Sequence, residues 1–171
     1  SILALNWKRY LPNTIFICPN GHEACTVNPS GYQWFDLTKD DPNYILEESL
    51  KAEKKINKFL EEVKNEYKLD NEKIFLSGFS QGSMMSINVG LTSEEKFKCV
   101  IGFSGKIINT DNLKIRKKNF TDILLIHGDQ DEIVAPTHLL EAKDFFFREN
   151  KNVTTHIITN CRLNIHVETS S

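Results

Sequence analysis

The sequence predicts an α/β fold, in which a mostly parallel sheet carries helices on both faces. Short apolar runs rich in β-branched and aromatic residues recur along the chain, and several of them end at a glycine. Segments of helical periodicity separate these runs, so strands and helices alternate. Neither an internal repeat nor a linker rich in serine, glycine or proline divides the 171 residues, so we expect a single domain over 1–171.

Five apolar runs are predicted to be buried strands, because they are short and are bounded by turn residues. These runs are TIFIC (14–18), KIFLSG (73–78), CVIGFSG (99–105), DILLIHG (122–128) and VTTHII (153–158). Helices are predicted between them, one after Asp41-Pro42, one from Gln81 to Leu91 and one from Pro136.

The segment 19–36 has too many turn residues for a regular element, yet it contains Tyr32, Trp34 and Phe35. We expect these rings to fix the loop on the core, because large aromatic side chains are usually packed. Direct contact with a substrate is the alternative.

The composition, with 40% hydrophobic and 26% charged residues, is that of an ordinary soluble protein. The 21 basic and 23 acidic residues leave a net charge of −2, so a nucleic-acid partner is not expected. The apolar runs are far shorter than the roughly 20 residues of a membrane span, and the N-terminus has no signal-peptide pattern. The cysteines lack metal-ligand spacing, so we expect no metal, and we interpret them as thiols in a reducing cytoplasm. They are Cys18, Cys25, Cys99 and Cys161.

The most informative motif is Gly78-Phe79-Ser80-Gln81-Gly82, a G-x-S-x-G between a predicted strand and a predicted helix. In this context the serine is a nucleophile on a tight, strained turn, and the two glycines leave room for the neighbouring backbone. The helix points its first amides at the reaction centre, so the N–H of Gln81 can stabilise an oxyanion. A glycine-rich turn without chemistry is the alternative. A second near match, 102–106, lacks the final glycine, and we assign it a structural role.

A triad acid is predicted in ILLIHGDQDEIVAP, because acidic residues there follow the end of a buried strand. We assign this role to Asp131, which would accept a hydrogen bond from the ring N–H of the base and stabilise the imidazolium. Asp129 and Glu132 are interpreted as capping or solvated loop acids.

Four segments together resemble the bacterial phospholipase/carboxylesterase family, which is related to acyl-protein thioesterases. They are LPNTIFICPN, GYQWFDL, GFSQGSMMS and LLIHGDQDEIVAP, and the resemblance extends from Leu11 to about Ile158. It implies an α/β-hydrolase fold and hydrolysis of carboxylic esters or thioesters without a cofactor. Ser80 is the implied nucleophile and Asp131 the implied acid.

The sequence departs from this family at both ends, so we expect a sheet without the first strand or strands and a fold without the C-terminal helix. The His-Gly-rich loop that gives family members a second oxyanion-hole donor is not visible. At the other end, an alignment on Asn164-Ile165 puts Leu163 where the family has its catalytic histidine. His138 opens a helix and His156 lies in a predicted strand, so the candidate base is His166, beyond that strand.

We therefore expect a serine carboxylesterase or thioesterase that forms an acyl-enzyme on Ser80 with a small ester or thioester substrate. No oligomeric state is predicted. The alternative is a catalytically inactive remnant, or an acyl-ligand binding module, with the same fold. Low or absent esterase activity is expected of the chain, because loss of one oxyanion-hole donor costs roughly 100- to 1,000-fold in turnover.

Overall fold

The computed structural model describes residues 2–149 and 153–162. Within these ranges the chain forms five α-helices, a two-stranded antiparallel hairpin and a sheet of four parallel strands. The helices are α1 (Ile2–Lys8), α2 (Pro42–Tyr67), α3 (Gln81–Thr92), α4 (Thr110–Arg116) and α5 (Thr137–Arg148). The hairpin strands are β1 (Glu23–Ala24) and β2 (Tyr32–Gln33), and the sheet strands are β3 (Phe75–Phe79), β4 (Cys99–Phe103), β5 (Ile123–Gly128) and β6 (Val153–Ile158).

The strands of the larger sheet lie side by side in chain order, β3-β4-β5-β6, and every neighbouring pair is parallel. A helix joins each pair, because a parallel connection must cross from one end of the sheet to the other. The four carboxyl ends therefore meet at one edge, where open α/β sheets place functional groups. The predicted alternation of parallel strands and helices is confirmed.

The main core lies between the sheet and helices α3, α4 and α5. Val100 of β4 and Leu125 of β5 are buried there. They belong to one apolar cluster with residues of the three helices, among them Ile87, Leu91, Leu113, Leu139 and Phe146. These helices therefore share one face of the sheet.

Helix α2 packs against α3, and helix α1 lies on the other face of the sheet. Ala52 of α2 and Met85 of α3 are buried in a second apolar cluster. The ring centroids of Trp7 and Phe103 are 5.9 Å apart, and Phe103 points away from the side where Val100 lies because side chains alternate along a strand. Helices therefore occupy both faces, as predicted.

The predicted helix after Asp41-Pro42 begins at that position. The carboxylate of Asp41 accepts a hydrogen bond from the N–H of Asn43 at 2.9 Å, and proline occupies the first helical position. The helices predicted from Gln81 and Pro136 begin at Gln81 and Thr137. The three starts are therefore predicted to within one residue, although of these three helices only α2 has a side-chain cap in the described part of the chain.

The prediction of a strand over 14–18 is wrong. These residues have no regular structure, and Ile15 and Ile17 are exposed, although the Phe16 ring lies 6.4 Å from that of Trp7. A strand requires a neighbour to pair with, and none of the described strands pairs with this segment.

The loop over 19–36 contains the short hairpin β1–β2, which the sequence did not predict. Phe35 is fully buried against α3 and Trp34 is half-buried, so for these two rings the expected packing is confirmed. Tyr32 is 60% exposed, so for this ring the expectation is wrong. The loop is held on α3 mainly through its last aromatic residue.

Candidate active site

Ser80 occupies the sharp turn between β3 and α3. Its φ of 52° lies in the left-handed region, which residues with a Cβ rarely adopt. The turn is fixed by a hydrogen bond of 2.8 Å from the N–H of Ser80 to the carbonyl oxygen of Phe103 at the end of β4. The tight, strained turn that the motif predicts is therefore present, and it holds a half-buried serine at the carboxyl edge of the sheet.

The two glycines of the motif have different roles. A Cβ atom on Gly78 would overlap the backbone carbonyl of Gly82, so a residue with a side chain does not fit at position 78. A Cβ atom on Gly82 would have no neighbour within 4 Å. The expected need for close backbone approach therefore applies to Gly78, whereas Gly82 borders an open cleft.

The near match at 102–106 has a packing role, as predicted. A Cβ atom on Gly102 or on Gly105 would overlap the hydroxyl oxygen of Ser83, which is fully buried. These glycines let the first turn of α3 lie directly on the end of β4. Ser104, between them, has a φ of 48° and is also buried.

Gln81 is the first residue of α3, and both its backbone and its side chain face the site. Its N–H is one of the first in the helix, which have no acceptor within the helix and carry the positive end of the helix dipole. Its side-chain oxygen accepts from the N–H of Trp34 at 2.7 Å, and its side-chain nitrogen donates to the carbonyl oxygen of Phe35 at 2.8 Å. The sequence indicated the backbone role only.

Asp131 lies in the loop after β5 and is almost completely buried. Its Oδ1 accepts hydrogen bonds from the N–H groups of Ile133 at 3.0 Å and Val134 at 2.8 Å. Its Oδ2 is buried and accepts no hydrogen bond from the residues that the structure describes. Since an unpaired buried carboxylate oxygen is costly, Oδ2 is a site where a further donor would bind.

The ring of His127 lies close to that oxygen. Its Nε2 lies 2.7 Å from the carbonyl oxygen of Val134 and 3.3 Å from Oδ2 of Asp131. Because a carbonyl oxygen can only accept, Nε2 carries a proton and donates it to Val134. The longer contact to Oδ2 would be an ion pair only if the ring were doubly protonated.

Asp129 has a different environment from Asp131. It is exposed, and its Oδ1 accepts from the N–H of Cys161 at 3.2 Å. The N–H of Gln130 donates to the carbonyl oxygen of Cys161 at 2.9 Å. The segment after β6 is therefore attached directly beside Asp131. The carboxylate of Asp129 has a structural role, because it binds the backbone of the turn after β6. Glu132 is exposed.

The structure brings Ser80 and Asp131 to the same edge of the sheet. Ser80 follows β3 and Asp131 follows β5, with β4 between them. Two strand spacings amount to roughly 10 Å, which leaves room for one imidazole ring between the two side chains. The candidate base His166 and the alternative position Leu163 lie outside the described residues. His138 is paired with Glu141, and His156 is exposed on β6.

A cleft of about 570 Å³ opens between the Ser80 turn and the hairpin loop. Apolar and aromatic side chains form much of its wall, namely Val27, Tyr32, Trp34, Leu37 and Phe79. Asn20, Gln33 and Thr38 add polar groups, and within 2–149 and 153–162 no charged residue lines the cleft. Asp36 fixes the rim nearby, because it accepts from the hydroxyl and the N–H of Thr38 at 2.7 and 2.9 Å. These bonds hold the pKa of the Asp36 carboxyl below its usual value.

The described residues form neither a metal site nor a membrane-spanning helix. Within residues 2–149 and 153–162, no group of three His, Cys, Asp or Glu side chains is arranged to hold a metal ion. Among the helices in those ranges, none is long and apolar enough to cross a membrane. The four cysteines are free thiols.

Comparisons with known proteins connect this geometry to one family. The sequence model of a family described as phospholipase/carboxylesterase matches residues 1–168. Acyl-protein thioesterase 1 of Emericella nidulans is 32% identical over 151 residues, which are 77% of this chain and 63% of that protein. Esterase YpfH of Escherichia coli K12 is 26% identical over 160 residues, which are 90% of this chain and 65% of that protein. The chain thus spans less than two thirds of the length of either relative. The crystal structure of esterase PE8 superposes with a TM-score of 0.91 at 31% identity, over 97% of this chain and 78% of that one.

Proposed function

Because the chain belongs to the phospholipase/carboxylesterase family and has its α/β-hydrolase fold, we propose that it hydrolyses carboxylic esters or thioesters through an acyl-enzyme on Ser80. The observation that carries the proposal is the pairing of two features at one sheet edge. Ser80 lies in a strained turn at the start of a helix, and Asp131 presents a buried oxygen that receives no hydrogen bond from the described part of the chain. This is the arrangement in which a histidine would connect a nucleophile to an acid.

In the proposed reaction, the Ser80 oxygen attacks the carbonyl carbon of the substrate and gives its proton to a base. The N–H of Gln81 stabilises the negative charge that develops on the carbonyl oxygen. The tetrahedral intermediate then collapses, the alcohol or thiol leaves with the proton held by the base, and the acyl group remains on Ser80. Water attacks the acyl-enzyme in the same way, which releases the acid and restores the serine.

We propose His166 as the base and Asp131 as its partner. Two hydrogen bonds of the Cys161 backbone attach this residue to the loop that carries Asp131. His166 is five residues further along, and five extended residues reach about 17 Å at most. Oδ2 of Asp131 would accept the ring N–H, fix the tautomer and stabilise the imidazolium.

The cleft favours substrates whose acyl group is uncharged. Among the described residues, its lining has aromatic and apolar side chains but no lysine, arginine, aspartate or glutamate. A charged acyl group would lose its hydration there without gaining a partner of opposite charge. We therefore propose neutral acyl esters or thioesters as the substrate class.

The test is hydrolysis of p-nitrophenyl butyrate and of a butyryl thioester by the chain and by two serine variants. Ser80→Ala should lower kcat by several powers of ten, because no nucleophile remains. Ser104→Ala is the matched control, since Ser104 also has a positive φ at the end of a strand and is followed by glycine. It should leave kcat unchanged. Equal activity of Ser80→Ala and the unaltered chain would overturn the proposal. So would tight binding of the ester without turnover, which would support an acyl-ligand binding module.

A further inference from the structure

The side chain of Gln81 joins the Ser80 turn to a segment that is distant in the sequence. Its two hydrogen bonds, to the N–H of Trp34 and the carbonyl oxygen of Phe35, bridge 47 and 46 residues. Both bonds are partly buried and are 2.7 and 2.8 Å long. The carboxamide of Gln81 therefore binds the backbone of two consecutive loop residues, with its oxygen as acceptor for one and its nitrogen as donor to the other.

This bridge holds a wall of the cleft. The Trp34 ring lines the cleft together with Ser80 and is in ring contact with His22, at 6.2 Å between centroids. Phe35, the next residue, is fully buried against Met84 and Met85 of α3. Phe35 thus anchors the loop to the helix, and Gln81 fixes the backbone from which the Trp34 ring projects.

We infer that the Gln81 side chain is a specificity-determining positioning residue, which holds the Trp34 wall at a fixed place relative to Ser80 and so determines which acyl chains fit. The part about acyl chains rests on the proposed function. The positioning itself does not, because it concerns only the attachment of the loop. Gln81 acts in this role through Trp34 and not by touching the reacting atoms with its side chain.

The chemistry of the side chain explains why glutamine is suited to this position. An ionised glutamate can only accept, so it would face the carbonyl oxygen of Phe35 without a proton to donate. Methionine has a similar length and shape but lacks the two bonding groups, which makes Gln81→Met the cleanest removal of the bridge. Asparagine is one methylene shorter.

The experiment uses tryptophan fluorescence as a readout that requires no turnover. The chain has two tryptophans, so a Trp7→Phe background leaves Trp34 as the sole emitter. In that background, Gln81→Met should shift the Trp34 emission to longer wavelength and increase its quenching by acrylamide, because the ring becomes more exposed to water. Gln81→Glu should shift it in the same direction.

Asn71→Leu is the matched control, because Asn71 forms a comparable amide bridge remote from the cleft. Its side-chain nitrogen donates to the hydroxyl of Ser93 and to the carbonyl oxygen of Glu95. This variant should lower the free energy of unfolding without moving the Trp34 emission. The control thereby distinguishes an emission change caused by a general loss of stability from one caused by displacement of the loop.

The specificity part is measured by binding, with short-chain and long-chain alkyl methyl ketones as neutral probes and Trp34 quenching as the signal. Gln81→Met should change the ratio of the two dissociation constants by about fivefold, a difference of about 1 kcal/mol, because a displaced Trp34 wall contacts the short and the long chain to different extents, whereas Asn71→Leu should leave the ratio unchanged. Identical emission and quenching in Gln81→Met and the parent would overturn the positioning role. A displaced Trp34 with an unchanged ratio would overturn the specificity role. Loss of ester hydrolysis in the parent would count against the proposed function only, since these measurements need no turnover.

Discussion

Nε2 of His127 lies 3.3 Å from Oδ2 of Asp131, yet its proton is donated to the carbonyl oxygen of Val134 at 2.7 Å. The same loop residue, Val134, donates its N–H to Oδ1 of Asp131. His127 and Oδ1 therefore fix the loop from both sides, and Oδ2 keeps its lone pairs for another donor. This arrangement gives the two carboxylate oxygens of Asp131 separate roles, one in structure and one in the proposed catalysis.

Replacing Asp131 by asparagine should remove activity while the fold is retained. The asparagine oxygen can keep both backbone hydrogen bonds, but its NH₂ group would replace Oδ2 and face the ring N–H of the base with a donor. We expect kcat to fall by roughly 10³- to 10⁴-fold, with a change in unfolding free energy of at most about 1 kcal/mol. Ester hydrolysis and urea unfolding measure the two effects. Asp129→Asn is the control and should leave kcat nearly unchanged; a comparable loss in both variants would argue against the assignment of Asp131.

Replacing His127 by phenylalanine should destabilise the protein. The ring is almost completely buried, and its loss would leave the carbonyl oxygen of Val134 without its donor. The expected cost is about 1 to 3 kcal/mol in the free energy of unfolding, measured with urea. His138→Phe removes a partly exposed ring that is paired with Glu141 and should cost much less. Equal losses in the two variants would show that the buried bond is unimportant.

The two glycines of the motif should respond differently to the same substitution. Gly78→Ala places a methyl group on the backbone carbonyl of Gly82, so we expect a loss of several kcal/mol or failure to fold. Gly82→Ala meets open space and lies in the first turn of α3, where alanine favours the helix by about 0.5 to 1 kcal/mol over glycine. Thermal unfolding of both variants checks this. A destabilised Gly82→Ala with an unaffected Gly78→Ala would contradict the packing described for this turn.

The base should be identified by two variants near the C-terminus. If His166 accepts the proton of Ser80, His166→Ala should lower kcat by several powers of ten. The alignment that puts Leu163 at the catalytic position predicts the opposite. In that case His166→Ala would change nothing, and the double substitution R162G/L163H would increase labelling by a fluorophosphonate, a reagent that reacts with activated serines.

The strands and the helix starts were predictable because their signals are local. Apolar runs bounded by turn residues marked β3 to β6, and Asp41-Pro42 marked the start of α2. The run 14–18 has the same composition, but pairing depends on another segment of the chain, which composition does not report. Helix α4 was missed because it is only seven residues long. Its local signals are the cap Asn109, whose side chain accepts from the N–H of Asn112 at 2.9 Å, and the charged residues of its first and last turns.

The candidate site was likewise predictable only where its signals are local in the sequence. The motif around Ser80 predicted the turn, because glycine spacing and the strand-to-helix context are properties of neighbouring residues. The bridge from Gln81 to Trp34 and Phe35 spans more than 40 residues and has no local signal. The free oxygen of Asp131 likewise depends on the folded loop, since the sequence does not show which of its oxygens the backbone amides would occupy.

The role of Ser80 as the nucleophile is tested most directly by trapping the acyl-enzyme. The chain is mixed with p-nitrophenyl butyrate, quenched with acid within seconds and digested, and the acylated residue is located by tandem mass spectrometry. We predict a butyryl group on Ser80, with Ser83 and Ser86 in the same tryptic peptide unmodified as internal controls. Butyryl on Ser104 or another serine, or consumption of the ester with Ser80 unmodified throughout, would contradict Ser80 as the nucleophile.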